Sequence, residues 1–375
     1  MNEKGVPPSN DQIELSLFGS GFGEAILIHF GNNHWAIVDS CLEPASRKPA
    51  SLVYMETLGI DWAVAVKLIV ISHWHDDHIR GISSIVEKCP AAEVFISAAM
   101  KEKEFRKLVV ASEEQDVAAT RGIDEFSRIF AILEERKQSG ARFNPPKIAI
   151  QDRPLLHEHM RVSGNDFEVK ITALSPSDAS VYLAQRSFDR LYAGQIKSLI
   201  RVPPPEPNDA AVALWVEIGC HKILLGSDLE SGTDPTRGWA GVLSNFRRNG
   251  GPAGIFKKAH HGAATSHHPR LGSELLSTDA HTMLTTWFRG GKWLPTEKDI
   301  ERIKSLTCNA YITSQRPGKY SYKDKLVREF RSKLTRLHAG WGQIRIRTPF
   351  NDPRGIHVEL FDNAIDLRQI RTASS

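Results

Sequence analysis

The chain has 375 residues, of which 41% are hydrophobic and 25% charged, with a net charge of +4. That is the composition of a globular protein with a large core, and its mild basicity does not by itself identify a nucleic-acid partner. No apolar run approaches the roughly 18 residues of a membrane span. The polar start "MNEKGVPPSNDQ" has no secretory apolar segment, so a cytoplasmic location is expected. Cys41, Cys89, Cys220 and Cys308 lie far apart without a CxxC pair, which argues against a disulfide scaffold or a cysteine metal site.

The chain begins as β structure. "IELSLF" (13–18), "AILIHF" (25–30) and "HWAIVDS" (34–40) read as short strands separated by turn-forming "GSGFG" and "GNN". A helix is expected over 48–59, then a buried strand at "AVKLIVIS" (65–72), a helix near 79–88 and a strand at "EVFIS" (93–97). Residues 98–142 are charged and helical in period, with Gly140 as a stop, and read as a helical insertion. Strands resume at "KIAI" (147–150) and "FEVKITAL" (167–174). The Pro-rich "RVPPPEPND" (201–209) is a stiff loop. "AAVALWVEI" (210–218) and "HKILLGSD" (221–228) form an expected hairpin, with His221 solvated in its turn.

The remainder alternates. Strands are expected at 254–258, 282–287 and 309–314, and helices at 270–277, 297–305 and 322–337. Strands "GQIRIRT" (342–348) and "GIHVELF" (355–361) precede a flexible tail, 362–375. Both halves run strands first and βα units after. The expectation is one α/β domain over 1–375, made of two packed sheets with helices outside.

Seven of the 15 histidines fall in two short clusters. The first is "HWHDDH", directly after the buried strand. His73 and His75 are two residues apart, so an extended loop presents both imidazoles to one point, and Asp77 and His78 can face a second point nearby. Imidazole and carboxylate together suit Zn²⁺, Mn²⁺ or Fe²⁺. The second cluster is "KKAHHGAATSHH" (257–268).

"HWHDDH" has the H-x-H-x-D-H form and resembles the metallo-β-lactamase superfamily. "GFGEAILIHF…WAIVDS", "ILLGSDLE" (223–230) and "IFKKAHHGAATSHHP" (255–269) are similar, in order, to motifs of the branch that includes the hydrolase domain of competence DNA-uptake channel proteins. The resemblance covers about residues 12–350, with the helical segment as an insertion. It implies an αββα sandwich of two mixed sheets, with one or two metals at the sheet edge. Carried over residue by residue, it implies that His73 and His75 hold a first ion, Asp77 and His78 a second, and Asp228 bridges both. One or both of His260 and His261 complete the shell, and Asp39 supports the loop by hydrogen bonding.

This chain departs from the pattern in three places. Many members place another histidine ligand between the loop and the bridging aspartate; here that interval contains His157, His159 and His221, with "HEH" (157–159) as a further candidate. "GGKWLP" (290–295) has Lys292 and Trp293 where the branch often has a histidine. Gly19 stands where relatives carry aspartate.

Two divalent ions, zinc or alternatively manganese, would generate hydroxide at neutral pH and hold a substrate oxygen. The implied reaction is hydrolysis of an ester, amide or phosphodiester. Asp77 would orient the nucleophile, and whichever of His260 and His261 is free of metal would protonate the leaving oxygen. Lys258, Ser266, His267 and Lys292 are candidates to hold a phosphate, with the neighbouring Lys257 and His268 contributing to the same patch. The basic stretch 316–336, with Tyr320 and Tyr322 interleaved, adds a candidate nucleic-acid groove. The leading expectation is a phosphodiesterase or nuclease acting on DNA, RNA or a nucleotide. The alternatives are a hydrolase of a small ester, lactone or thioester, and a non-catalytic subunit that binds a partner, with the insertion 98–142 as a lid or partner surface.

Overall fold

The computed structural model describes residues 3–101, 105, 121–140, 143–197, 207–232, 234–247, 251–289, 291–315 and 340–370. Two eight-stranded mixed sheets form its centre. The first runs, in spatial order, His357–Asp362, Trp341–Pro349, Gln12–Ser20, Glu24–His29, Trp35–Val38, Val66–Ile71, Glu93–Ser97 and Lys147–Ala149. The second runs Ile365–Asp366, Ala310–Ile312, Leu276–Leu284, Ala253–Lys257, His221–Leu225, Leu214–Ile218, Asn165–Ala173 and Pro154–Val162.

The central strands are apolar on both faces because both faces are covered. In Val66–Ile71, Leu68 and Val70 join the core between the sheets, where Leu15, Leu17, Ile26 and Ile28 meet Ile171, Val216, Ile223 and Ile255. Ile69 and Ile71 point the other way, toward Met55, Ile82, Ile85 and Phe126 of the outer helices. On the far side of the second sheet, Trp215, Leu224 and Phe256 pack against Trp239, Val242 and Leu271. Each fully buried Val, Leu or Ile contributes ~1.5–3 kcal/mol. The resulting layers are helix, sheet, sheet, helix, the αββα architecture.

Several elements differ from the sequence reading. Pro154–Val162 is an edge strand, joined to Asn165–Ala173 by a turn with Ser163 and Gly164 at φ 50° and 85°. Asp178–Lys197 is a helix that buries Val181, Ala184 and Phe188. The insertion contributes helix Arg121–Ser139, whose Phe126, Ile129 and Leu133 join the outer core, so its apolar face is used internally. The expected tail is held in place through 370: Ile365–Asp366 pairs with Ala310–Ile312, and Leu367 is buried. The expected helix 322–337 and the basic stretch 316–336 lie outside the described residues. Among the described residues, no helix is long and apolar enough to cross a membrane.

Chain direction places the chemistry. Trp35–Val38, Val66–Ile71 and Glu93–Ser97 run parallel, as do His221–Leu225, Ala253–Lys257 and Leu276–Leu284. Asp39, His73, Asp228, His261 and Thr285 all follow the carboxyl ends of such strands, the usual place for a site in α/β sheets.

Candidate metal centre

The "HWHDDH" loop leaves strand Val66–Ile71 in extended form. Alternation sends Trp74 away from its two histidine neighbours. Its ring packs 5.1 Å from Phe188 and 5.9 Å from Phe105. His73 and His75 are thereby fixed toward the opposite side, with ring centroids 5.0 Å apart. The chain then turns into the short helix Asp76–Ile79, which brings the His78 ring to 4.2 Å from that of His73. Helix Arg121–Ser139 braces the end of this loop: Glu125 accepts hydrogen bonds from the backbone N–H of Gly81 (2.9 Å) and Ser83 (3.0 Å).

Two groups of donor atoms that share Asp228 converge here, each confined within 4.8 Å, beside a third, Asp39 with His73 and His78, on their outer side. One is His73, His75 and Asp228; the other is Glu24, His78, Asp228 and His261. Asp228 belongs to both. Its Oδ1 lies 3.2 Å from His78 Nε2 and its Oδ2 3.7 Å from His261 Nε2. Asp77 faces His261 Nε2 at 3.4 Å from the margin of the cluster and belongs to neither group.

Hydrogen bonding decides which nitrogen each imidazole offers. Asp39 accepts from Ser72 N–H (2.8 Å) and from the Ser72 hydroxyl (2.6 Å). With its hydrogen committed to Asp39, Ser72 Oγ can only accept from His73 Nδ1, 2.9 Å away. Asp39 Oδ2 also faces His78 Nδ1 at 2.8 Å, and a carboxylate there requires Nδ1–H. The same logic holds across the site. Thr285 donates to Glu24 Oε2 (2.8 Å), so it accepts from His261 Nδ1 (2.7 Å). All three rings therefore carry hydrogen on Nδ1 and turn Nε2 inward, the atom a metal ion would take once it displaces any proton there. This is the arrangement that second-layer partners impose on metal-binding histidines.

The fit to a cation follows from the buried atoms left over. His73 Nε2, His78 Nε2, His261 Nε2 and Asp228 Oδ1 are buried without an aligned hydrogen-bond partner. Buried polar atoms seldom remain so, and four converging atoms of imidazole and carboxylate are a donor set for a divalent transition ion. Asp39, Ser227, His260 and His261 hold left-handed φ values of 61°, 44°, 48° and 51°, a local strain that clusters at functional sites.

Charge is distributed accordingly. Burial, and then the neighbouring His78 and His75, push the proton affinity of His73 well down. Burial would do the same to His78, but the Asp228 and Glu24 carboxylates outweigh it and raise its pKa. Burial opposes ionisation of Asp228, and His78 and His261 reverse that, holding its carboxyl well below the usual range. Asp77 is likewise lowered, because the His261 hydrogen bond and the His78 charge overcome burial.

Other candidates separate into distinct places. His260 turns away from the donor groups. Its Nδ1 lies 3.0 Å from Glu230 Oε1, and its Nε2 3.4 Å from Asn208 Nδ2. Burial lowers its pKa, but Glu230 and Asp228 more than compensate. Lys258 and Ser266, expected as phosphate holders, are both buried and face other partners. Lys258 lies under helix Glu297–Leu306; burial and the nearby Arg302 lower its pKa to about 8. The Ser266 hydroxyl sits 2.8 Å from both the Ala259 and Ala263 carbonyls and stabilises the loop. Lys257 is also buried; it donates to Ser227 O (3.0 Å) and pairs with Glu24 Oε1. His267 is half-buried, with its pKa lowered by burial and by Lys258, and joins neither donor group. Lys292 is exposed on the hairpin Trp287–Leu294 and lines a cleft of about 1400 Å³ with Trp287, Trp293, Ile300 and Ile312. Trp287 connects this cleft to the cluster, its ring 6.4 Å from that of His261.

His157 and His159 lie on the exposed face of the far edge strand, away from the centre. His221 is buried rather than solvated, with Nε2 2.8 Å from Pro349 O. Gly19 has a packing reason: a Cβ there would fall on Thr313 Oγ1 and reach Thr285, the partner of His261. Glu24, Thr285 and Glu230 are members that sequence reasoning did not single out. The signal for Glu24 was its place as the one acidic residue in "GFGEAILI", the motif that leads into strand Glu24–His29.

The two mixed sheets, outer helices and His/Asp donors at the carboxyl edge define the fold class as the metallo-β-lactamase αββα sandwich. No protein-family model matches the chain, and no curated protein matches it. Solved structures that resemble it include the metallo-β-lactamase fold protein YhfI from Bacillus subtilis (13% identity, 82% of this chain and 98% of that one, TM-score 0.39). Others are the short form of human tRNase Z (12%, 65% and 77%, TM-score 0.31) and MEM-A1, a subclass B3 metallo-β-lactamase from a soil metagenome library (14%, 72% and 87%, TM-score 0.32).

Proposed function

We propose that this chain is a metal-dependent hydrolase of the metallo-β-lactamase superfamily, and that its substrate is a phosphodiester of DNA, RNA or a nucleotide. The observation that carries the hydrolase reading is the pair of donor groups sharing Asp228, with the histidine Nε2 atoms preset toward them. His73, His75 and Asp228 would hold one divalent ion, and His78, His261 and Asp228 the other, with Asp77 completing the second from the margin. Zinc suits these donors best, with manganese as the alternative. When bound, the ions supply an activated water and neutralise charge that develops on the substrate.

The chain's own residues do the rest. Asp39 and Thr285 hold the imidazoles in register. Asp77, beside His261, orients the attacking water. His260 is the proton-transfer group: its Nδ1 is held by Glu230, and its Nε2, which faces Asn208 Nδ2 at 3.4 Å, would leave that contact to exchange the proton with the leaving oxygen. Lys292 and Arg289, on the hairpin beside the cluster, offer cations for a phosphate, with Arg289 Nη1 3.9 Å from Asp76. The order of motifs resembling the DNA-uptake-channel branch supports the phosphodiester choice.

A second reading, hydrolysis of a small ester or thioester, is favoured by the apolar lining of the cleft, which includes Trp287, Trp293, Leu294, Ile300 and Ile312. Comparing turnover of bis-p-nitrophenyl phosphate with that of p-nitrophenyl acetate separates the two. Chelator-sensitive turnover of the diester supports the first; turnover of the acetate alone selects the second.

A further inference from the structure

The histidines His157 and His159 were candidates for the main centre, but the structure places them elsewhere and in company. They occupy alternate positions of edge strand Pro154–Val162, so both project from one face, and both are exposed. Their ring centroids are 5.2 Å apart. On the neighbouring strand, Glu168 lies directly opposite His159 in register, and its Oε1 reaches His157 Nε2 at 2.7 Å. One donor atom from each of the three side chains falls within 4.8 Å of the others. Two strands, Asn165–Ala173 and Leu214–Ile218, separate this edge from strand His221–Leu225, which leads to Asp228. Three strand spacings amount to roughly 14 Å.

From this we infer that the outer face of the hairpin Pro154–Ala173 carries a separate, exchangeable transition-metal site formed by His157, His159 and Glu168. Two imidazoles at alternating positions and a carboxylate from the paired strand supply three ligands on one side of an ion and leave its outer positions to water. That donor set takes Zn²⁺, Cu²⁺ or Ni²⁺ rather than Mg²⁺ or Ca²⁺, which favour all-oxygen shells. Ligand atoms about a tetrahedral zinc stand roughly 3.3 Å apart, as follows from bonds of about 2.0–2.1 Å. The His157–Glu168 pair therefore opens by about half an ångström as the ion replaces their shared hydrogen, a small adjustment for exposed side chains. A cross-strand ion pair alone would account for His157 and Glu168, but it gives His159 no role.

The test is a zinc titration of the full chain against a competing chromophoric chelator, comparing wild type with H157Q/H159Q and with E168Q. Ions resistant to the chelator report the buried cluster and are counted separately; their number is expected to be equal in all three proteins, since these side chains are exposed. The wild type should bind one additional exchangeable Zn²⁺ per chain, which the double variant lacks and E168Q binds at least about tenfold more weakly. Equal exchangeable zinc, bound with equal affinity, in wild type and double variant overturns the inference. The result is independent of whether the buried centre hydrolyses anything.

Discussion

Asp39 provides the sharpest test of how the centre is prepared. Its carboxylate receives three hydrogens: Ser72 N–H, the Ser72 hydroxyl and His78 Nδ1–H. Through them it sets the tautomers of both His73 and His78. Asp39 sits at φ 61°, a conformation that asparagine also tolerates, so D39N leaves the backbone unchanged. The amide has one acceptor oxygen instead of two, and its NH₂ must face a donor. If the oxygen lies toward Ser72 N–H, the NH₂ meets the Ser72 hydroxyl and His78 Nδ1–H. If it is flipped, the buried N–H of Ser72 is stranded. Either way at least one buried donor loses its partner, a cost of ~1–3 kcal/mol. Loss of such a partner typically weakens metal binding ~10–100-fold, or ~1.4–2.8 kcal/mol at 1.4 kcal/mol per tenfold. The assay is zinc affinity by chelator competition, with circular dichroism to confirm the fold. Wild-type affinity in a folded D39N protein would refute the idea that Asp39 prepares the imidazoles.

Further predictions concern the frame around the centre. Lys257 and Glu24 form a buried ion pair, so K257M alone should destabilise the chain by ~3–5 kcal/mol, with K257M/E24Q recovering part of that loss in a denaturant double-mutant cycle; additive losses would contradict the pairing. W74A removes the ring packed on Phe105 and Phe188 and should cost ~3–5 kcal/mol, together with weaker metal retention by His73 and His75, both read from melting curves and metal analysis. His29 is buried, and burial lowers its pKa from 6.5 to about 4. The unfolded chain then takes up a proton before the folded one does. Stability from this residue is fully present above pH 6.5 and is lost as pH falls toward 4, by up to ~3 kcal/mol. Urea midpoints of wild type and H29Q should diverge across that window, and parallel curves would exclude His29 as a source.

Much of the centre was legible because its residues are local in sequence. "HWHDDH" follows a strand whose apolar run marks it as buried, and alternation alone separates His73 and His75 from Trp74. Asp228 and His261 were legible in the same way, each just beyond a strand. The parts that escaped depend on contacts between distant segments. Glu24 reaches Lys257 and Thr285 only because two sheets meet at one edge. Lys257 and Lys258 read as surface cations, since lysine is usually exposed, and nothing local announces a buried partner. Strand Pro154–Val162 was missed because its outward positions, His157, His159 and Arg161, are polar and its inward ones include Glu158. Helix Asp178–Lys197 was missed because Val181, Ala184 and Phe188, which it buries, are interleaved with polar residues such as Gln185, Arg186 and Ser187.

The central claim is that Asp228 joins two metal sites in a hydrolytic centre, and it is tested most directly by metal content per chain in wild type and D228A. Exchangeable surface ions are first removed with a mild chelator, and diester turnover is followed on the same samples. Wild type should retain about two ions and show chelator-sensitive turnover. D228A should retain fewer than one ion and show no turnover, with an unchanged circular dichroism spectrum. A wild type without metal, or a D228A protein that keeps both ions and full turnover, would contradict that claim.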